Sequence, residues 1–228
     1  MLHAADAGWQ VRDLVPGLCD PWGLYRRTRA DRKLARRIGR SLGGILAGQH
    51  AGVREGDVAG WLPRRPPWPD VPERLWTQLP HVVDDAGLLR TMTRVLRRYE
   101  DQVDDAACDR VLVHGDLGFH NVAVVPDTDE VAGVFDYDSA AWADRHQDFR
   151  YLIFGDGEEE LEGALEVYEP AVGVRLDRER IRLCNAACAI GFLAFRCGTF
   201  PEARSCGRTL AEDLDWVKQA LCGLGEPW

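Results

Sequence analysis

Residues 111–121 read VLVHGDLGFHN and residues 131–138 read VAGVFDYD. Each is a β-branched run that stops at polar side chains able to do chemistry: His114, Asp116 and Asn121 after the first, Asp136 and Asp138 after the second. A loop held between strands presents such groups toward one point. Asp136, at the end of a neighbouring strand, brings a second carboxylate to the mouth that holds Asp116 and Asn121. Two carboxylates and one amide oxygen are a hard, oxygen-only donor set, which suits Mg²⁺, an ion that keeps waters and completes its shell with substrate phosphates. Phosphoryl transfer needs this inventory. One carboxylate orients an attacking hydroxyl and accepts its proton, while an Asn and an Asp hold magnesium against the phosphates of ATP or another nucleoside triphosphate.

Two other readings use some of the same residues. Asp and Asn at strand ends often only make turns. His114, Asp116, His120, Asp136 and Asp138 also have the donor types of a metallohydrolase cluster, but that account gives Asn121 no role. His120 and His146 read as ordinary packed or solvated histidines, and Asp138 as a water, metal or substrate contact or an exposed acid.

The elements that must position these groups can be read from periodicity. A short extended piece near Trp9–Leu14 ends at Pro16-Gly17. A helix is expected over about Ala30–Ala51, with Leu34, Ile38, Leu42, Ile45, Leu46 and Gln49 on one face. The proline-rich stretch PRRPPWPDVP at 63–72 excludes regular structure. A second helix follows over about Asp85–Val103. Short strands are expected at Arg110–His114, Val122–Val125 and Val131–Phe135, the last two forming a hairpin across PDTDE. Helices return over about Leu161–Tyr168, Arg178–Phe195 and Arg208–Leu221. This is an α+β, mostly helical body with a little β structure carrying polar residues at its edges.

Composition narrows the function classes. The chain has 228 residues, 46% of them hydrophobic, enough for one domain or a close pair of subdomains. A formal net charge of −9 argues against nucleic acid, whose binding rests on neutralising phosphates. No run of apolar residues is long enough to span a bilayer, and the start MLHAADAGWQVRD lacks a basic region followed by an apolar core, so no membrane partner and a cytoplasmic location are expected. The seven cysteines are scattered without a C-x-x-C pair and read as small core hydrophobes, although Cys184 and Cys188 have the spacing to share a helix face and a metal. Charge is uneven: RRTRADRKLARRIGR at 26–40 is basic, whereas DGEEELEGALEVYE at 156–169 carries seven acids and no base. Such a run is either a solvated helix face or a field that draws in a cationic substrate.

HGDLGFHN followed by VFDYDSAAWADRHQDF strongly resembles the aminoglycoside phosphotransferase and choline kinase-like family, from about Trp9 onward. The spacing of His114, Asp116, Asn121 and Asp136 also matches the protein-kinase pattern H-R-D-x-x-x-x-N with its later Asp, with Gly115 in place of Arg. The resemblance implies the C-terminal lobe of a protein-kinase-like fold, with residues 1–20 as a remnant of the interlobe hinge and 21–228 as the catalytic and substrate lobe. It implies Asp116 as catalytic base, Asn121 and Asp136 as magnesium ligands, His114 as a brace of the loop, and Asp148 as a buried acceptor fixing the loop from behind. LGGILAGQH, ending at His50, looks like a helix signature of the same family. The acceptor is a hydroxyl of a small molecule. The acidic run and the helix after it, with Trp142, Tyr151 and Phe154 as a cation box, suggest an aminoglycoside or another amino-alcohol.

The nucleotide-covering part of such a kinase is absent from these residues. Neither G-x-G-x-x-G nor G-x-x-x-x-G-K-[ST] occurs, and Lys33 and Lys218, the only lysines, fall in predicted helices rather than on a strand. The expectation is an N-terminal nucleotide lobe lost to a late start, supplied by a partner chain, or dispensed with in a non-catalytic binding or scaffold protein. The chain alone is expected to be weakly active or inactive.

Overall fold

The basic run at 26–40 covers the end of one helix and the start of the next. In the computed structural model, which describes residues 3–4, 9–10, 14–58, 60–64, 76–105, 110–153, 158–199 and 208–226, helix α1 covers Pro21–Ala30 and α2 covers Arg32–Gly52. The two are separated by Asp31, whose carboxylate accepts from the backbone N–H groups of Lys33 and Leu34 at 2.9 and 3.2 Å and so starts α2 as an N-cap. The single helix expected from Ala30 therefore has a separate helix before it. Two-residue strands β1 (His3–Ala4) and β2 (Trp9–Gln10) pair with each other. A short helix α3 (Glu55–Val58) follows α2, and α4 spans Ala86–Asp105. Most of the proline-rich loop lies outside the described residues.

The strands come next: β3 (Arg110–Val113), β4 (Val122–Val124), β5 (Val131–Val134) and β6 (Ala141–Asp144). β4 and β5 form the expected antiparallel hairpin, with Val122 opposite Val134. β3 pairs antiparallel with β6, Val113 opposite Ala141. AWAD has no β-branched residue, which is why periodicity gave no sign of β6. A 3₁₀ run over Arg145–Leu152 then leads into α5 (Glu159–Val172), α6 (Arg178–Thr199) and α7 (Leu210–Gly223). Thr209 and Glu212 cap α7 reciprocally.

Two helical cores flank the strands. One joins α4, α6 and α7 through Met92, Leu96, Ile190, Leu193, Val217 and Leu221. The other joins α1, α2 and α5 to the hairpin and the 3₁₀ run through Leu24, Ile38, Leu42, Val122, Phe149 and Tyr168. Within it α2 and α5 meet backbone to backbone. A Cβ at Gly39 would lie 2.0 Å from the Glu160 carbonyl oxygen, one at Gly43 2.3 Å from that of Ala164, and one at Gly163 2.2 Å from that of Arg36. α6 is long and apolar enough to cross a bilayer by composition, yet 72% of that stretch is buried inside the fold.

The close α2–α5 contact revises the expectation of a free acidic field. Among the acids at 158–166, Glu158 pairs with Arg182 at 2.8 Å, Glu162 with Arg178, Glu159 with Arg32, and Glu166 with Arg36 and with Arg40 at 3.2 Å. The basic and acidic runs are largely two sides of one packed interface.

Candidate active site

β3 ends at Val113, and the chain then turns sharply. Gly115 has φ +79°, and a Cβ there would sit 2.1 Å from the Ser139 carbonyl oxygen. An L side chain is excluded both by conformation and by space, which accounts for Gly where protein kinases carry Arg. Asp148, fully buried, accepts from the N–H groups of His114 and Gly115 at 2.8 and 2.9 Å. Burial raises the proton affinity of Asp148, but the His50 bond and charge and the two backbone donors outweigh it, holding this carboxyl below the ordinary range.

His50 lies at the end of α2, buried, with Nε2 3.1 Å from Asp148 and Nδ1 2.7 Å from the Tyr168 hydroxyl. Gln49, counted with the apolar face in the sequence, is a polar brace. Its Nε2 donates to the Leu112 carbonyl at 2.7 Å and its Oε1 accepts from the Tyr137 hydroxyl at 2.7 Å. Helix α2 thus grips the turn from behind.

His114 is fully buried and joins the two strand ends. Its Nδ1 accepts from the Asp116 N–H at 3.3 Å, which assigns the proton to Nε2, 2.9 Å from the Phe135 carbonyl. Both ring nitrogens are engaged in the backbone, so His114 does not contribute to a metal cluster. Among the described residues no three His, Cys, Asp or Glu side chains converge as metal ligands, and Cys184 and Cys188 are simply buried. The metallohydrolase arrangement is not assembled.

Asp116 follows with its side chain about a third exposed (33%). His120 Nε2 lies 3.0 Å from its Oδ2. Asn121 Nδ2 donates to the Asp116 carbonyl at 2.8 Å and more distantly to Oδ2 at 3.3 Å. Burial favours protonation of Asp116, but His120, the Tyr151 hydroxyl and the Arg150 guanidinium together outweigh it and hold the carboxyl below its usual range. His120, read as a bystander in the sequence, touches the carboxylate directly. Arg150 is buried and donates to the Gly115 carbonyl, a role that no local pattern announces.

Asn121 is buried at the start of β4, and its carbonyl accepts from the Phe135 N–H at 3.1 Å. Asp136, exposed and with φ +67°, is the next residue after Phe135, so Asn121 and Asp136 leave the same end of the β4–β5 hairpin. A left-handed backbone at a non-glycine residue is strained and marks a constrained position. Nδ2 of Asn121 is committed to Asp116. Asp138 is exposed in the 3₁₀ turn Tyr137–Ser139. His146 is buried between Asp144 and the Asp177 N–H, in a packing role.

A cavity of about 210 Å³ is bordered by His120 and Tyr151, the two side chains that hydrogen-bond the Asp116 carboxylate. Of the expected cation box only Tyr151 borders it. Trp142 sits on β6 with its backbone N–H donating to the Pro63 carbonyl at 2.9 Å, and Phe154 lies outside the described residues. Leu18 exchanges backbone hydrogen bonds with Val124 at 2.8 and 3.0 Å, which lays the segment before α1 along β4.

The chain is similar to known proteins in sequence and in fold. The chain is 35% identical over 106 residues to streptomycin 3''-kinase of Streptomyces griseus, a match covering 44% of this chain and 38% of that protein. Its fold is similar to that of the GDP and kanamycin complex of APH(2")-IIia, with a TM-score of 0.60 and 17% identity over 93% of this chain and 68% of the other. Macrolide 2'-phosphotransferase type I superposes with a TM-score of 0.54 and 23% identity, covering 82% of this chain and 58% of the other. The chain thus spans well under half of the curated relative and under two thirds of the macrolide enzyme. The phosphotransferase enzyme (APH) family model matches residues 9–184. The chain belongs to that phosphotransferase family, with the protein-kinase-like fold of its members.

Proposed function

We propose that Asp116 is the general base of phosphoryl transfer from ATP, or another nucleoside triphosphate, to a hydroxyl of a small molecule. The observation that most supports this is the Asp116 carboxylate: kept ionised, partly exposed, and set beside a cavity at the end of a braced turn. A base near neutral pH must be deprotonated and within reach of the proton it takes. His120 and Asn121 both engage Oδ2, and Oδ1 receives the substrate proton. His114 and Asp148 are positioning residues that fix the turn.

Magnesium fits the donors present. Asn121 Oδ1 and the exposed Asp136 carboxylate are hard oxygens at one hairpin end, too few for a closed protein cage and suited to an ion that shares its shell with water and phosphate. When bound with the nucleotide, the ion neutralises charge on the transferring phosphate. The lysine and the glycine-rich cover are assigned to a segment or partner chain outside these 228 residues, because Lys33 opens α2 and Lys218 lies on α7. The same placement of both lysines favours a second reading, a kinase lobe kept as a binding or scaffold protein.

The test is Mg²⁺-dependent ATP turnover, measured on the chain alone and on the chain joined to whatever in-frame sequence precedes Met1. The longer form is expected to be active and to lose roughly 10²–10⁴-fold in Asp116→Asn, the shorter to be weak or silent. Equal turnover by the wild type and the Asn variant of an active form removes the base assignment, and silence of both forms favours the scaffold.

A further inference from the structure

We propose that the acceptor is a compact alcohol bearing a flat apolar ring and no cationic group, rather than a polycationic amino sugar. This rests on Asp116 being the base, since the cavity is identified as the acceptor site by its position beside that residue.

The cavity walls are aromatic: Trp22 and Tyr25 from α1, Phe119 from the catalytic loop, Tyr151, Phe192 from α6 and Trp216 from α7. Trp22 and Tyr25 stand edge to face, ring centres 6.3 Å apart. No Asp or Glu lines it among the described residues. At about 210 Å³ it falls below the roughly 300–1,000 Å³ of sites that enclose drug-sized ligands, and is suited to one ring.

Its charge is the reverse of what an amino sugar needs. Arg208 borders the cavity, its guanidinium 4.7 Å from the Trp216 ring centre and 5.3 Å from that of Phe192. Those two aromatic faces already hold a cation, so they do not offer the same face to a substrate ammonium. Behind it, Asp213 pairs with both Arg208 at 2.9 Å and Arg196 at 3.0 Å, so its single charge is divided between two guanidiniums. Arg150, buried, adds a further positive charge that acts on Asp116. The Arg208 guanidinium on the cavity wall repels a second cation at short range, so an ammonium is disfavoured while a ring, or a ring with an anionic substituent, is not.

The measurement is calorimetric binding to the 228-residue chain without nucleotide. The probes are 3-phenyllactate, which joins an alcohol, a phenyl ring and a carboxylate, and kanamycin and choline as cationic counterparts. Phenyllactate is expected to bind at least about tenfold more tightly than either, to weaken about tenfold in Trp22→Ala, and to be retained in Trp22→Phe, which keeps a ring on the same wall. Absent phenyllactate binding, tighter kanamycin or choline binding, or indifference to Trp22→Ala with the fold intact by circular dichroism overturns the proposal. Because binding is read apart from chemistry, the two readings separate. Tight kanamycin binding with an inactive Asp116→Asn variant removes the acceptor class and leaves the base. Phenyllactate binding with equal turnover by wild type and Asp116→Asn keeps the aromatic pocket and removes the base.

Discussion

Two sets of carboxylates in this protein meet arginine, histidine or backbone donors, and they differ in where the meeting happens. Asp148 and Asp144 lie inside, the first among two backbone N–H groups, His50 and Gln49, the second between His146 and Arg180. Glu158, Glu159, Glu162 and Glu166 lie along α5 against arginines whose side chains are 29–83% exposed. The interior set has few alternative partners, so each bond fixes a backbone position. The outer set exchanges water for arginine at small net gain and is screened by salt. Acid count along the chain therefore misleads about electrostatics: the dense run is mostly neutralised surface, and the isolated Asp148 holds the His114–Asp116 turn.

The strongest way to break the contrast is Asp148→Ala. It strands two buried N–H donors and the His50 ring, and is expected to lower unfolding free energy by about 3–5 kcal/mol in urea denaturation. The pH dependence has a definite sign. The folded carboxyl has a depressed pKa, so its contribution is complete above the unfolded carboxylate range of about pH 4 and is lost as pH falls through the folded value. Asp148→Ala should flatten the stability–pH curve below about pH 4. A variant with unchanged acid slope and a loss below about 1 kcal/mol would show that the turn does not depend on this carboxylate.

Gly115→Ala probes the same turn through its backbone. The methyl meets the Ser139 carbonyl and the residue is held at positive φ, so a loss of about 2–3 kcal/mol is expected, together with displacement of Asp116. The combination to look for is lower stability with a larger fall in turnover than in substrate affinity. Loss of affinity alone would place the strain away from Asp116.

Much of this arrangement was legible in the chain, and what was not has physical causes. The β4–β5 hairpin, α4 and the ends of α5, α6 and α7 follow from periodicity because each buries one face. His114, Asp116, Asn121 and Asp136 stand out because strands deliver them at fixed spacing. α1 was hidden because its buried residues Gly23, Leu24 and Thr28 include one large apolar side chain and so make no helical stripe, and β6 because its alanines carry no strand signature. Gly39, Gly43 and Gly163 were a readable signal for close helix contact, as small residues at helical spacing. Arg32, Arg36 and Arg40 could not be paired with the α5 acids by sequence alone, since the partners lie more than a hundred positions apart. The aromatic cavity draws on several separate segments, so no local pattern reveals it.

The smallest effect belongs to the outer acids, and it sharpens the comparison from the other side. Glu158 accepts from Arg182 at 2.8 Å with both side chains about a third exposed. Replacing it with Gln keeps the shape and removes the charge, so any loss measures the ion pair alone. An exposed pair is worth about 0.2–1 kcal/mol and less as salt rises. Glu158→Gln is expected to stay within that range in dilute buffer and to become indistinguishable from wild type near 1 M NaCl, while the Asp148→Ala deficit persists because salt does not reach it. A salt-insensitive loss above about 2 kcal/mol at Glu158 would mean that the α5 acids are coupled into a network with the core, and the division between structural and screened carboxylates would have to be redrawn at that helix.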